Sequence, residues 1–387
     1  MSLSHCKLKD FVSFKTGKLN SNAATLDGPY PFFTCSQETF RTDTFSFDTE
    51  CVLLGGNNAN GIYPLKYFSG KFDAYQRTYI IEPLDRKKLD TRYLFYALRP
   101  TLELMKSIST GAATKFLTLT ILNDIEIAYH QHIDAQRKIA SILSAYDDLI
   151  ENNMRRINIL EEMAQAIYRH WFVDFKFPGH KKVKFKGRIP EGWELKEIGN
   201  LAEEMRRSVD PSTIAEDTPY FGLEHLPRKS IALGEWGFAK DVQSSKLAFK
   251  KGEILFGKIR PYFHKVGVAP LDGVCSSDTI VIKSKAENYF GIVLACVSSE
   301  AFVNHASQTS HGTKMPRANW SVLVKYPVVM PPAPLLARFN KQMQSTVDLI
   351  QNLIFKNRNL RRSRDLLLPK LISGEVDVSK LEIESLS

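Results

Sequence analysis

Little in these 387 residues offers covalent or redox chemistry. The five cysteines (Cys6, Cys35, Cys51, Cys275 and Cys296) are scattered with no C-x-x-C pair. That argues against a disulfide framework and a thiolate zinc site, and the odd, unpatterned set reads as reduced and cytoplasmic. No apolar run approaches the roughly 18 residues of a membrane span. The opening MSLSHCKLKDF lacks the apolar core flanked by cations of a signal peptide. Neither G-x-x-x-x-G-K-[ST] nor H-E-x-x-H occurs, so a P-loop and a zincin helix are both excluded. An Asn-Pro-Pro-aromatic tetrapeptide, as amino-methyltransferases carry, is missing too. His130 and His132 stand two apart at a strand end, without the spacing or partners of a metal site. Glu194-Leu195-Lys196 has the outline of a nuclease E-x-K, but the same stretch of the first third is Lys7-Leu8-Lys9, so it reads as chance.

What is present is positive charge on an otherwise ordinary globular composition. Hydrophobic residues make up 43% and charged residues 24%, yet the net charge is +10. A basic excess spread along a folded chain favours a polyanionic partner, nucleic acid or a membrane surface, with nucleic acid set ahead of a charge that serves solubility alone.

Two long stretches carry the 3.6-residue apolar period of a helix face. The first runs from about Ile133 to Trp171 through Ile139, Ile142, Tyr146, Leu149, Ile150, Ile157, Leu160, Ala164, Ile167 and Trp171, with Asp134 as N-cap. At about 1.5 Å per residue it makes a rod of roughly 60 Å. The second, from Pro334 to Leu368, reads Leu336, Phe339, Met343, Val347, Ile350, Ile354, Leu360 and Leu367. Asp148-Leu149-Ile150 recurs as Asp348-Leu349-Ile350. Matched stripes predict an antiparallel coiled-coil pair, in which Asn153 and Asn357 either fix the register or sit solvated at its edge. Leu143, Met154, Met163, Tyr168 and Phe172 fall off that seam and call for further cover.

Around the helices the chain divides into 1–132, strands and loops with one helix from about Thr91 to Ile108; 133–175, the first long helix; 176–190, a basic linker; 191–331; 332–373, the second long helix; and a 374–387 tail. Tyr30–Thr34, Cys51–Leu54 and Thr78–Ile81 read as strands. The linker holds Lys176, Lys181, Lys182, Lys184, Lys186 and Arg188 without an acid among them. Residues 191–331 echo the first third: Leu195–Ile198 repeats Leu8–Phe11, Ile254–Gly257 repeats Val52–Gly55, and His311–Met315 repeats Ala112–Phe116. Four matches in one order predict a tandem duplication, an α+β fold of two β-rich domains separated by the helix pair.

The loops mix cations, aromatics and amides. In the second domain Lys258, Arg260, Tyr262, His264 and Lys265 follow a buried strand at alternating spacing, and His311, Thr313, Lys314 and Arg317 form another loop. Their counterparts in the first are Asn57, Asn58, Asn60, Tyr63 and Lys66, then Thr114 and Lys115. Arg suits the O6/N7 edge of guanine, Asn the N6/N7 edge of adenine, and Lys a phosphate. These residues are the candidate DNA-binding set.

QRKIASILSAYDDLIENN, LEEMAQAIYRHWFVDF, IPEGWELKEIGN and DLLLPKLISGEVDV, with GTK-type loops before each long helix, resemble the specificity subunits of type I restriction–modification enzymes over nearly the whole length. The resemblance implies two target recognition domains, each reading half of a split site in double-stranded DNA. Two methyltransferase subunits would dock on the helices, and restriction/translocase subunits would join them. S-adenosylmethionine, ATP and Mg²⁺ would then sit on those partners, with no cofactor in this chain, which would be non-catalytic. FNKQMQSTVDLIQ, in place of a QRKIA-type opening, departs from the pattern in the second helix. A recognition subunit of a two-subunit type II system, or a coiled-coil assembly protein with no DNA role, are the other readings.

Overall fold

Uninterrupted 3.6-residue periodicity gives the two longest elements. In the computed structural model, which describes residues 3–56, 63–109 and 116–379, the helices run Ile133–Tyr168 and Ala333–Ile372. The first starts ahead of the expected cap. The His132 carbonyl accepts the N–H groups of Ala135 and Gln136, and Asp134 lies in the first turn, beside the positive helix end. It also stops short of 175: a π-helical turn, Arg169–Val173, follows and buries Trp171 and Phe172. Phe175 then turns the chain with a φ of 55°.

The chain separates into two units, Met1–Leu149 with Leu360–Ser387, and Ile150–Asn359, so each long helix contributes to both. In the first unit a six-stranded sheet has the order Val12–Thr16, Thr78–Pro83, Phe47–Gly55, Leu65–Ala74, Tyr30–Phe33, Thr39–Thr42. The runs expected as strands are there. Leu65–Ala74, unforeseen, pairs antiparallel with Phe47–Gly55 from Leu54↔Leu65 to Phe47↔Phe72. Two-residue alternation sorts the sheet faces. Val52, Leu54 and Ile81 pack in one cluster with Tyr93 and Leu94 of the Thr91–Ser109 helix, Ile139 and Leu143 of the first long helix, and Leu371 and Ile372 of the second. Cys51, Leu53 and Ile80 face Phe33 and Phe72 on the other side. Where the helices meet this core, the Asp147 carboxylate accepts the Tyr96 hydroxyl at 2.7 Å and pairs with Arg99 at 3.4 Å and with Arg364.

The second unit holds a four-stranded sheet, Ala202–Glu204, Thr279–Ser284, Ile254–Gly257, Val266–Val268. Beside it lies a five-stranded one, Arg207–Val209, Lys246–Phe249, Gly273–Cys275, Pro219–Phe221, Gly237–Phe238. Ile254, Phe256, Ile280 and Ile282 join Trp171, Phe172 and Phe339 in its main core. Further along the helices Ile157 packs with Ile350, Leu353 and Ile354. Asn153 Nδ2 donates to Asn357 Oδ1 at 2.8 Å and Asn357 Nδ2 to the Ile150 carbonyl at 3.5 Å, with the two residues 9% and 3% exposed, so the pair is hydrogen-bonded in a buried position.

Several expectations on the helices need correction. Leu149 is 54% exposed, and Leu349 of the repeated tripeptide is 51% exposed, whereas Ile150 and Ile350 are buried. At each place the inward position belongs to the isoleucine. Leu143 and Phe172 need no outside cover, since their own units bury them; Met154 and Met163 stay exposed and Tyr168 half-buried. The basic linker is also more than a spacer. Phe177 inserts beside Trp193 with ring centroids 4.8 Å apart, and Phe185–Lys186 pairs with Ile189–Pro190 across Gly187, whose φ is 70°. Its six cations all point to solvent.

Candidate nucleic-acid interface

In the second unit the two candidate loops form one surface. The Ile254–Gly257 strand leads into Lys258, whose N–H donates to the Asp278 carbonyl at 2.8 Å and whose carbonyl accepts the Ala318 N–H at 2.9 Å. Two residues on, the Arg260 N–H donates to the Pro316 carbonyl at 2.7 Å, and its Nη2 reaches the Lys314 carbonyl at 3.4 Å. Paired backbone bonds between His311 and Arg317, 3.1 and 2.9 Å long, close the second loop, with Gly312 at a φ of 100° where a side chain would be strained. Thr313 and Lys314 sit exposed at its tip. Arg317 returns beside the crossing and places Nε 3.4 Å from Asp278 Oδ1.

The alternating spacing expected after this strand is absent, because the residues do not continue as a strand. Pro261–Phe263 is a 3-10 turn held between Arg260 and His264, both left-handed, with φ of 48° and 52°. Such residues cost about 1–3 kcal/mol each and persist where surrounding bonds impose them. Those bonds are present: His264 Nε2 donates to the Ser298 carbonyl at 2.9 Å, and the Lys265 ammonium donates to the Leu223 carbonyl. Burial lowers the pKa of both side chains. His264 and Lys265 therefore brace the turn from inside, while Tyr262, 55% exposed, lies outward; Lys258 and Arg260 are half-buried, with Arg260 Nε enclosed and without a hydrogen-bond partner among the described residues. Arg228, which the sequence reading missed, stacks its guanidinium 4.2 Å from the Phe263 ring.

The first unit repeats the bonds made at Gly257 and Lys258. Gly56 N–H donates to the Arg77 carbonyl at 2.8 Å, and the Gly56 carbonyl accepts the Leu117 N–H at 2.9 Å. Gly55 N–H bonds the Pro64 carbonyl at 2.8 Å as Gly257 N–H bonds that of Lys265 at 2.7 Å. Each crossing precedes a helix with a polar N-cap, Thr118 in one unit and Asn319 in the other. At the start of each unit, Leu8 N–H donates to Ile125 and Ile198 N–H to Tyr326. Leu8 thus matches Ile198, and the sequence pairing with Leu195 was three residues out of register.

Of the first unit's candidates, Asn57, Asn58, Asn60, Thr114 and Lys115 lie outside the described residues. Tyr63 is a core residue, 7% exposed, rather than a surface aromatic. Lys66 donates to the Glu38 carbonyl at 2.8 Å and the Thr39 hydroxyl at 3.1 Å, and burial pulls its pKa down to about 8. Glu194 and Lys196 of the E-x-K tripeptide pair with each other at 3.1 Å.

Two mixed α/β units therefore carry equivalent backbone crossings ahead of a short capped helix. Residues 4–162 match the profile of the type I restriction modification DNA specificity domain. The chain is 30% identical to the type I restriction enzyme EcoDI specificity subunit of Escherichia coli, covering 96% of this chain and 88% of that one. It is 28% identical to the MjaIX specificity subunit of Methanocaldococcus jannaschii over 75% of this chain and 70% of that one. A crystal structure of a type I restriction-modification S subunit from M. genitalium shares the fold, with a TM-score of 0.63 at 16% identity and 96% of each chain covered. This protein belongs to the specificity subunits of type I restriction enzymes. Among the described residues no helix is long and apolar enough to cross a membrane.

Proposed function

We propose that this chain is the non-catalytic DNA-reading and scaffold subunit of its restriction–modification complex, each unit reading one half of a bipartite site in double-stranded DNA. The observation that carries this is the crossing: in each unit a strand end, a strand start and a pre-helical loop are hydrogen-bonded into one surface. Backbone fixed by hydrogen bonds beneath Lys and Arg side chains suits base readout, because a misplaced fork loses its bidentate contact. Lys258, Arg260, Tyr262, Thr313, Lys314 and Arg317 form the reading set of the second unit, His311 closes their loop, and His264 and Lys265 support them.

The long helices form an antiparallel coiled-coil spacer between tandemly duplicated domains. Trp171 beside Phe339 and Asn153 bonded to Asn357 support that sense, since one residue number rises as the other falls. Exposed Met154, Ile159, Met163 and Leu349 on the helices provide an apolar surface for two methyltransferase subunits. Those subunits, with restriction/translocase subunits, bring S-adenosylmethionine, ATP and Mg²⁺. The test is a mobility shift of labelled duplex by the chain assembled with its methyltransferase partner. Binding should be sequence-selective, and log K should fall linearly with log salt. Equal affinity for all sequences, or methylation by the purified chain alone, contradicts the reading.

A further inference from the structure

At the crossing the two units carry different side chains on equivalent backbone. Where the second unit sets Asp278 against Arg317, the first sets Arg77 against Phe116. The residues correspond because Gly56 bonds Arg77 and Leu117 as Lys258 bonds Asp278 and Ala318. In the second unit the cation is partly neutralised by its carboxylate. In the first the guanidinium lies 5.5 Å from the centroid of Phe116, itself 48% exposed.

Arg77 stands apart from its neighbours. Of the six arginines between residues 3 and 149, Arg41 bonds the carbonyls of Gly28 and Pro29, Arg86 pairs with Glu50, Arg92 with Asp148, Arg99 with Asp147 and Arg137 with Asp134. Among the described residues the exposed Arg77 side chain has no hydrogen bond and no ion pair. Its backbone, by contrast, is tightly placed. The Arg77 carbonyl accepts Gly56 N–H at 2.8 Å and the Cys35 thiol at 3.5 Å, Thr78 N–H bonds Tyr75 at 2.7 Å, and Gln76 N–H bonds Leu19 at 3.0 Å. A fixed stem, a ring to brace one face of the fork and donors with no acceptor among the described residues suit a planar, two-acceptor ligand. A flexible ammonium would suffice for a phosphate.

We infer that Arg77, braced by Phe116, reads a guanine in the half-site of the first unit by a bidentate contact to O6 and N7. This rests on the DNA-reading role proposed above. The guanidinium supplies two parallel N–H donors, and the ring keeps the fork from folding back on the protein.

The experiment is binding-site selection from a randomised duplex pool by the complex of this chain with its methyltransferase partner. Wild type is compared with Arg77→Ala, Arg77→Lys and Phe116→Leu. Melting curves accompany the selection; exposed Arg77 should leave them unchanged. Arg77→Ala and Arg77→Lys should each lose about tenfold or more of the preference for one G·C pair and leave the other half-site intact. Phe116→Leu should weaken the same preference to a lesser degree. Full selectivity in Arg77→Lys overturns the inference, since a point charge then suffices. Uniform weakening of all sequences by Arg77→Ala, with a salt slope shallower by about one, overturns it in favour of a phosphate contact. A wild-type complex with no sequence preference removes the DNA-reading role, and this inference with it, whereas the Arg77 outcomes bear on Arg77 alone.

Discussion

The two units share the backbone bonds at Gly56 and Lys258 and dress them differently. Backbone donors at Gly56 and Lys258 reach Arg77 and Asp278, and their carbonyls accept Leu117 and Ala318. On that shared frame the first unit places a guanidinium with no ion pair among the described residues and a phenyl ring, the second an ion pair. Scaffold and reading surface are therefore separable. Backbone hydrogen bonds fix where a side chain starts, and the side chain alone decides which base edge or phosphate it can meet. Such a frame can change its target without changing its fold.

The strongest way to break the comparison is to remove the frame. Phe256 is 1% exposed on the strand that leads into the second crossing, and Leu54 is 0% exposed on the strand of the first. Phe256→Ala should cost about 3–5 kcal/mol and Leu54→Ala about 2–5 kcal/mol, each from lost burial and an unfilled cavity. Calorimetry should show both variants melting earlier, and a melt unchanged in either would mean that its strand does not carry the crossing.

Next in size is a change on the frame. Arg260→Ala removes a fork while Pro261–Phe263 keeps its other anchors, His264 to Ser298 and Lys265 to Leu223. Discrimination at one base pair should fall by about 1–3 kcal/mol, read by site selection. An unchanged profile would take Arg260 out of the reading set.

Asp278→Asn sharpens the contrast, because it gives the second unit a freed arginine as in the first. The Asp278–Arg317 pair is part-exposed and worth at most about 1 kcal/mol, so a few-fold tightening on DNA is expected. The slope of log K against log salt should steepen by about one as Arg317 meets phosphate. No change in affinity or slope would show that Arg317 already faces DNA in spite of Asp278.

Much of this was legible in the sequence, and the failures are instructive. Periodicity found both long helices, and β-prone runs found Tyr30–Phe33, Phe47–Gly55 and Thr78–Pro83 at their centres. The Leu65–Ala74 strand was missed because Lys66, Ser69, Gly70 and Lys71 break its apolar pattern; its hydrogen bonds to Phe47–Gly55 overrode weak propensity. His264 and Lys265 looked like surface cations because a sequence does not reveal that a left-handed turn folds them inward. Arg77 was overlooked although Gln76-Arg77-Thr78 and Ser277-Asp278-Thr279 occupy equivalent places before paired strands. The repeat signal there lies in the threonines and the backbone, not in the residues that differ.

The smallest expected effect concerns Lys66. With its pKa held near 8 by burial, the free protein loses this charge as pH rises through 8. A phosphate on the ammonium would raise that value, so binding takes up a proton, and affinity should decline between about pH 7 and pH 9. Lys66→Arg should flatten the decline; an equal decline in that variant would place its origin elsewhere.

The central claim is that each unit reads its own half-site through its own crossing. Methylation-site mapping on genomic DNA by the assembled complex tests it most directly, with wild type set beside Arg260→Ala. The account predicts two short conserved blocks separated by an unread spacer of several base pairs, with Arg260→Ala relaxing one position of one block. A single continuous site, or a variant that alters both blocks together, would contradict it.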